Sequence, residues 1–189
     1  MVASITSAVA PHWVASRLAD RSGTRWVGVD GFGAAGKTTL AAGIAAAVPN
    51  AVVLHIDDFG RAGVRGWDRA LFVEQVLTPL LSGRPARYLG WDLVAEAARG
   101  WCEVPPGVPV VVEGVSATDD RVAVPWDLTL WVDVPAEERR HRIHARDEPR
   151  LLERWRTDWW PNEERYAAEQ RPWERVDAIV TERASPAVR

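Results

Sequence analysis

The sequence predicts one α/β domain in which a five-stranded parallel sheet is flanked by helices on both faces. Short apolar runs rich in β-branched residues alternate along the chain with longer segments of helical spacing, which is the arrangement of parallel strands joined by crossover helices. The 189 residues suffice for one sizeable hydrophobic core and are few for two. We therefore treat residues 1–189 as a single domain.

The five predicted strands are nearly continuous in apolar character, which is typical of strands covered on both faces. They lie at residues 25–30, 51–56, 109–113, 127–133 and 176–180. Helical character is found before and between them, at residues 1–23, 36–47, 67–82 and 137–147. A proline or glycine stands near an end of each of these helices, where it starts or stops a helix. From Ser185 onward we expect a frayed tail.

Composition indicates an ordinary globular protein. The formal net charge is only −3, which gives no reason to expect nucleic acid or an anionic membrane as a partner. No run approaches the roughly 18 apolar residues of a membrane span. The single cysteine, Cys102, cannot form an internal disulfide, and the N-terminus lacks a basic and apolar leader. These features favour the reducing cytoplasm, and a homo-oligomer remains an open alternative to a monomer.

A glycine-rich loop follows the first predicted strand and leads into the predicted helix. Residues 31–38 read GFGAAGKT and match G-x-x-x-x-G-K-[ST] at every fixed position. In such a loop, backbone N–H groups and the helix N-terminus converge on phosphate oxygens, the lysine reaches the β- and γ-phosphates, and the hydroxyl binds Mg²⁺. The chain has 22 arginines but one lysine, and that lysine is in the loop. The sequence thus predicts ATP and Mg²⁺ as cofactors, held by Gly31, Gly33, Ala34, Ala35, Gly36, Lys37, Thr38 and Thr39.

The same glycines also satisfy a second motif. Gly31, Gly33 and Gly36 fit G-x-G-x-x-G, and Asp57 follows after about 20 residues, as in dinucleotide-binding folds. A nicotinamide-dependent oxidoreductase is therefore an alternative, although Lys37 would then be coincidental and the chain leaves little room for a separate substrate domain. A nucleotide-binding regulator without transfer activity is another.

Two carboxylates are predicted at the carboxyl ends of strands, the edge at which open α/β sheets bind ligands. Asp57 follows the second predicted strand, where it can accept the proton of a substrate hydroxyl or hold Mg²⁺. Glu113 ends the third predicted strand and is a candidate metal ligand, directly or through water. A turn or capping aspartate and a plain strand-end acid are the structural alternatives.

Arginines are concentrated in the fourth helical segment. Arg139, Arg142 and Arg146 are spaced by three and four residues, which places them on one helical face. Such a face can close over a triphosphate and stabilise the charge of the transferring group. A solvated helix neutralised by its own acidic residues is the alternative.

In this order and spacing, the motifs resemble the uridine kinase, phosphoribulokinase and pantothenate kinase group of P-loop kinases. The resemblance runs from about Val27 to Val180 and rests on VGVDGFGAAGKTTLA, HIDDF, VVEG, WVDVP and RRHRIHARD. It implies a P-loop NTPase fold in which ATP phosphorylates an alcohol and Asp57 acts as the base. It also implies that the arginine-rich segment, about residues 137–150, is a mobile lid.

The resemblance further implies where the acceptor binds. Aromatic rings there can stack on a flat group, and acids can hold sugar hydroxyls, although packing in the core or a surface loop is an equal interpretation. The candidate acceptor residues are Asp58, Trp67, Asp68, Arg87, Tyr88, Trp91 and Asp92.

The chain also departs from the family pattern. Gly60 replaces an aromatic residue, Glu148 and Pro149 replace the usual end of the lid, and no base-recognition hairpin is recognisable. We therefore expect a small-molecule alcohol that is a nucleoside, nucleoside-like or sugar-like, without a preference for uridine. The late aromatic residues Trp155, Trp159, Trp160 and Tyr166 either roof the site or pack the last helices, and packing is favoured.

Overall fold

The computed structural model describes residues 2–61 and 64–182. Eight strands occur in these ranges: Ala3–Thr6 (β1), Arg25–Gly31 (β2), Val52–His55 (β3), Ala86–Asp92 (β4), Ala97–Val104 (β5), Pro109–Glu113 (β6), Leu128–Asp133 (β7) and Ala178–Thr181 (β8). Six form a parallel sheet in the order β1-β8-β7-β2-β6-β3, and β4 and β5 form an antiparallel hairpin.

The five strands predicted for the parallel sheet are all present, and β2 lies between β6 and β7 near its centre. The sheet has a sixth strand, β1, in a segment for which we predicted helix. That part of the prediction was wrong, because four residues carry no periodicity of their own and β1 is fixed by pairing with β8. The helix that follows is shorter than expected and has Pro11 in its first turn.

The helices surround the parallel sheet. They are Ala10–Leu18 (α1), Lys37–Ala47 (α2), Arg69–Phe72 (α3), Thr78–Leu81 (α4), Ala136–Arg146 (α5), Pro149–Arg154 (α6) and Trp160–Gln170 (α7). A π-helical stretch, Val73–Leu77, joins α3 to α4, and a second one, Trp155–Trp159, joins α6 to α7. In the described ranges, no helix is both long and apolar enough to cross a membrane. The predicted tail from Ser185 lies outside the described residues.

The central strand is buried on both faces. Val27 and Val29 belong to a cluster with residues of α1 and α2, whereas Trp26 belongs to a second cluster with residues of α3, the hairpin and the turn after β3. Alternate residues of one strand thus enter two cores, which explains why its sequence is apolar without alternation.

The β4–β5 hairpin was not predicted, because its alanine-rich second strand does not alternate clearly between apolar and polar residues. Tyr88 points into the core, where its ring lies 5.0 Å from that of Phe59. Phe59 belongs to the 3₁₀ turn Ile56–Phe59 that carries Asp57. The hairpin therefore supports the segment that presents this carboxylate.

Candidate functional site

The loop between β2 and α2 has the backbone conformation that its glycines allow. Gly31 and Gly36 have φ of 147° and 91°, which side chains rarely permit. A Cβ atom at Gly31 would also lie only 2.7 Å from the carbonyl oxygen of Val132. The loop ends on Gly36, and α2 begins at Lys37, so the first N–H groups of this helix are directed toward the loop.

The side chain of Lys37 contacts the backbone of its own loop. Its ammonium donates a hydrogen bond to the carbonyl oxygen of Phe32, with an Nζ to oxygen distance of 2.9 Å, and the residue is buried. The positive charge is thus held at the loop rather than in solvent. A cradle of backbone N–H groups, a helix N-terminus and a fixed ammonium is suited to the end of a triphosphate.

Thr38 and Glu113 meet beside the loop, as expected for a metal site. The Thr38 hydroxyl donates to Glu113 Oε1 over 3.0 Å. The same oxygen lies 2.5 Å from His55 Nδ1, and this hydrogen bond raises the pKa of His55. No cluster of three or more His, Cys, Asp or Glu suited to a metal occurs within residues 2–61 and 64–182. One hydroxyl and one carboxylate still fit Mg²⁺, which takes oxygen ligands and is often completed by phosphates and water.

Asp57 lies on the 3₁₀ turn after β3, where its side chain is open to the cleft. Desolvation by the surrounding protein raises its pKa; the charge of Lys37 opposes this rise, and that of Glu113 adds to it. A carboxylate with a raised pKa is a better proton acceptor than an ordinary aspartate. Asp57 therefore has the position and the electrostatics of a general base.

The arginines of α5 face the loop. The guanidinium of Arg139 lies 4.4 Å from the centre of the Phe32 ring, and that of Arg142 donates to the carbonyl oxygen of Ala34 over 3.3 Å. Arg146 pairs with Asp147, and both line the cleft. Arg142 also pairs with Glu138 and Glu182. That these arginines form a lid over the site stays a prediction.

The cleft is a cavity of about 590 Å³, a volume that suits small ligands. One side, here called the sheet wall, consists of residues of the loop and of two strand ends: Gly33, Ala34, Lys37, Thr38, Asp57 and Glu113. The opposite side, here called the helical wall, consists of Trp155, Trp159, Glu163 and Tyr166 from the α6–α7 segment. Aromatic residues of this segment therefore both pack and line the cavity, while packing alone was favoured from the sequence.

Arginines form much of the remaining wall. Asp119 is buried and binds two of them, Arg69 through Nε at 2.6 Å and Arg121 through NH2 at 2.8 Å. Burial would raise the pKa of Asp119, but hydrogen bonds from Arg121, Gln170 and Arg69 outweigh it and lower the pKa. The carboxylate thus remains ionised and holds both guanidiniums at the cavity. Sequence reasoning missed this group, because no motif links residues that are about 50 positions apart.

Of the candidate acceptor residues, Trp67 lines the cavity, and its indole N–H donates to Ser116 Oγ over 3.0 Å. Asp68 caps α3 by accepting from the N–H of Leu71. Asp58 is buried beside the hairpin, 3.7 Å from Arg99. The last two lie outside the cavity wall in structural positions, and their part in acceptor binding stays a prediction.

The candidates on β4 also lie outside the cavity wall. Arg87 is exposed and packs against Trp101, while Tyr88 is buried in the core. Trp91 stacks on Arg61, and Asp92 accepts hydrogen bonds from the N–H groups of the turn between β4 and β5. The hairpin, which was not predicted, determines where these four side chains point, and their part in acceptor binding stays a prediction.

A buried polar network joins the helical wall to the sheet. Asp30, at the end of β2, is fully buried and accepts hydrogen bonds from the N–H groups of Gly31, Ser116 and Thr118. Its Oδ2 also accepts from the Thr118 hydroxyl at 2.7 Å and from the Tyr166 hydroxyl at 2.6 Å. Tyr166 thereby fixes α7 to the strand that leads into the loop.

Comparison with solved structures identifies the fold. A candidate uridine kinase from Bacillus stearothermophilus matches with a TM-score of 0.64 and 16% identity, over 90% of this chain and 97% of that one. A candidate fructose transport system kinase from Silicibacter sp. TM1040 matches with a TM-score of 0.69 and 20% identity, over 93% and 98%. No protein-family model matches the chain, and no curated protein matches it.

Both neighbours have the uridine kinase-like P-loop kinase fold, and this chain has the same fold. The expected fold class is therefore confirmed, with six strands in the parallel sheet instead of five. A fold shared at such low identity does not define what a protein acts on.

Proposed function

We propose that the protein is an ATP-dependent phosphotransferase that transfers the γ-phosphate to a hydroxyl group of a small molecule. One observation carries this proposal. The phosphate loop, the Thr38–Glu113 pair and Asp57 all line one cavity, which is large enough for a small acceptor. Donor, metal and proton acceptor therefore have candidate residues within a single site.

Each group has a distinct part in the proposed reaction. The loop N–H groups and Lys37 hold the triphosphate, while Thr38 and Glu113 hold Mg²⁺. Bound Mg²⁺ would neutralise charge on the β- and γ-phosphates. Asp57 accepts the proton of the acceptor hydroxyl as its oxygen forms the bond to phosphorus. The arginines of α5 add positive charge around the transferred group.

The electrostatics of the site favour this function over an oxidoreductase. The charges of Lys37 and Glu113 both act on Asp57, so the carboxylate belongs to the phosphate end of the cavity. In a dinucleotide site the matching acid binds a ribose hydroxyl. Lys37 and the Thr38–Glu113 contact have a use with a triphosphate and a metal, and none with a nicotinamide dinucleotide.

We propose a nucleoside-like or sugar-like alcohol as the acceptor. Trp67, Trp155 and Trp159 provide aromatic surface in the cavity, and arginine and acidic side chains provide partners for hydroxyl groups. The two structural neighbours, named as a uridine kinase and a fructose transport system kinase, suggest the same two chemical classes for a first screen.

The test is a coupled assay of ADP release with ATP, Mg²⁺ and a panel of nucleosides and sugars, in which mass spectrometry identifies a phosphorylated product. We expect acceptor-dependent turnover that Lys37→Ala abolishes, because this variant lacks the only ammonium of the loop. Normal turnover in that variant would contradict the assignment. Thermal-shift titrations with ATP·Mg²⁺ and with NADH test the alternative, since a ligand that binds only the native state raises Tm. Stabilisation by NADH alone would favour an oxidoreductase.

A further inference from the structure

One acidic residue on α7 contacts the phosphate loop directly. Glu163 is buried, and its Oε1 accepts a hydrogen bond from the backbone N–H of Gly33 over 2.9 Å. The loop motif itself does not involve α7, which lies 130 positions away in the sequence. The contact therefore arises only from the fold.

The neighbouring groups hold this carboxylate in place. Trp155 packs over Gly33 so closely that a Cβ atom there would lie 2.3 Å from the indole and 2.7 Å from Glu163 Oε1. The second carboxylate oxygen, Oε2, lies 3.9 Å from Arg139 NH1. One N–H group of the loop thus already has a protein carboxylate as its acceptor.

The charged groups near Glu163 indicate which phosphate of a bound triphosphate would lie closest to it. Burial raises the pKa of Glu163 to about 7, while Lys37, the Gly33 N–H and Arg139 act to lower it, and Asp57 acts to raise it. Lys37 is the residue that reaches the β- and γ-phosphates in this loop, and Asp57 is the candidate base at the γ-phosphate. Glu163 therefore lies at the end of the loop where the terminal phosphate would arrive.

A terminal phosphate at this position would bring a second anion next to Glu163. Like charges placed together in a poorly solvated site are strongly unfavourable. ADP lacks the terminal phosphate, so the same carboxylate would not oppose it. Arg139 offers an alternative partner for the carboxylate once it leaves the Gly33 N–H.

We infer that Glu163 competes with the terminal phosphate of ATP for the phosphate loop and thereby sets the relative affinities of the site for ATP and ADP. This inference rests on the proposed function only in taking ATP as the donor. It assigns Glu163 to nucleotide selection, a role that no motif in the sequence indicates.

The test compares ATP and ADP binding at pH 8, above the pKa of Glu163 of about 7, each with Mg²⁺ and without acceptor, by isothermal titration calorimetry. Glu163→Gln keeps the side-chain shape and removes its charge. We expect it to tighten ATP binding about tenfold, since the removal of about 1.4 kcal/mol of repulsion has that effect, and to leave ADP binding unchanged. Glu164→Gln, a change at the adjacent and exposed residue of α7, should change neither affinity.

Weaker ATP binding in Glu163→Gln, or an equal change for ATP and ADP, would overturn the inference. If Glu163→Gln does not fold, Glu163→Asp retracts the carboxylate by one methylene and should tighten ATP binding selectively by a smaller factor. An unchanged ratio of ATP affinity to ADP affinity in Glu163→Asp would also overturn the inference. Selective tightening without phosphorylation of any acceptor would support the inference and reject the transferase, whereas loss of all nucleotide binding in the wild type would reject both.

Discussion

The two walls of the cavity differ in what determines the positions of their residues: local sequence on one side and tertiary packing on the other. On the sheet wall, Glu113 ends β6, Asp57 lies in the turn after β3, and Lys37 begins α2 after the loop, so their sequence neighbours determine where they lie. On the helical wall, Trp155 and Glu163 reach the loop from helices that lie far along the chain. Local rules of backbone structure therefore define one wall, and tertiary packing defines the other.

This difference suggests that the two walls have different functions. The sheet wall has the groups proposed to bind phosphate and metal and to accept a proton, and all three tasks need fixed geometry. The helical wall has a buried acid and aromatic rings, which can select the nucleotide and exclude water. We expect substitutions on the sheet wall to affect chemistry most, and substitutions on the helical wall to affect stability and selectivity.

The largest expected effect is that of Asp57→Asn on the sheet wall. Loss of the general base should lower kcat by a factor of about 10²–10⁴, because proton transfer by a positioned side chain contributes that much. ATP affinity measured by calorimetry should not weaken, because Asp57 acts on the acceptor and its neutralisation only reduces repulsion of the terminal phosphate. Unchanged kcat would show that Asp57 is not the general base and would contradict the assignment of chemistry to the sheet wall.

The sequence predicted the sheet wall well. The G-x-x-x-x-G-K-[ST] loop, Asp57 and Glu113 were placed by rules that hold within a few residues, and the five strands were found because both of their faces are buried. The hairpin was missed, and with it the positions of Arg87 and Tyr88. The position of Glu163 was not predicted either. An acidic residue on a charged helix is expected to be solvated, and only the fold brings this one to Gly33.

A second prediction concerns the contact between the walls. Gly33→Ala should reduce the free energy of unfolding by about 3 kcal/mol, the upper range for overpacking, because its Cβ would lie 2.3 Å from the Trp155 indole. Urea denaturation measures the loss. Trp155→Ala should recover part of it in a double-mutant cycle, with a coupling of about 0.5–3 kcal/mol. Additive effects would show that Trp155 does not close on the loop.

The third prediction follows from the burial of Glu163, which raises its pKa from 4.5 to about 7. Between these values the native state binds more protons than the unfolded state, so the free energy of unfolding falls as pH rises. From pH 4.5 to pH 8 the wild type should lose about 2–3 kcal/mol relative to Glu163→Gln, at about 1.4 kcal/mol per pKa unit. Urea titrations of both proteins across this range measure the difference. If the unfolding free energies of both proteins change with pH in the same way, Glu163 is solvated and does not connect α7 to the loop.

The smallest effect is expected for Tyr166→Phe, which removes the hydroxyl that donates to Asp30 Oδ2. Four other hydrogen bonds to this carboxylate remain, so the cost should be about 1.5 kcal/mol, the lower end of the range for a hydrogen bond to a charged group. Urea denaturation provides the measurement. Thr118→Val is the matched control, because it removes a donor to the same oxygen from the sheet side.

The two variants separate stability from the closure of the cavity. Both leave Asp30 with one donor fewer, so their losses in unfolding free energy should be similar. Tyr166→Phe removes the 2.6 Å hydrogen bond of α7 to Asp30, whereas Thr118→Val removes only a 3.4 Å contact with the Tyr166 hydroxyl. Tyr166→Phe should therefore speed hydrogen exchange of the Gly33 N–H more, since α7 protects this group through Glu163. If Thr118→Val speeds that exchange equally, the helical wall is held by the network as a whole, and Tyr166 is not its specific link to the sheet.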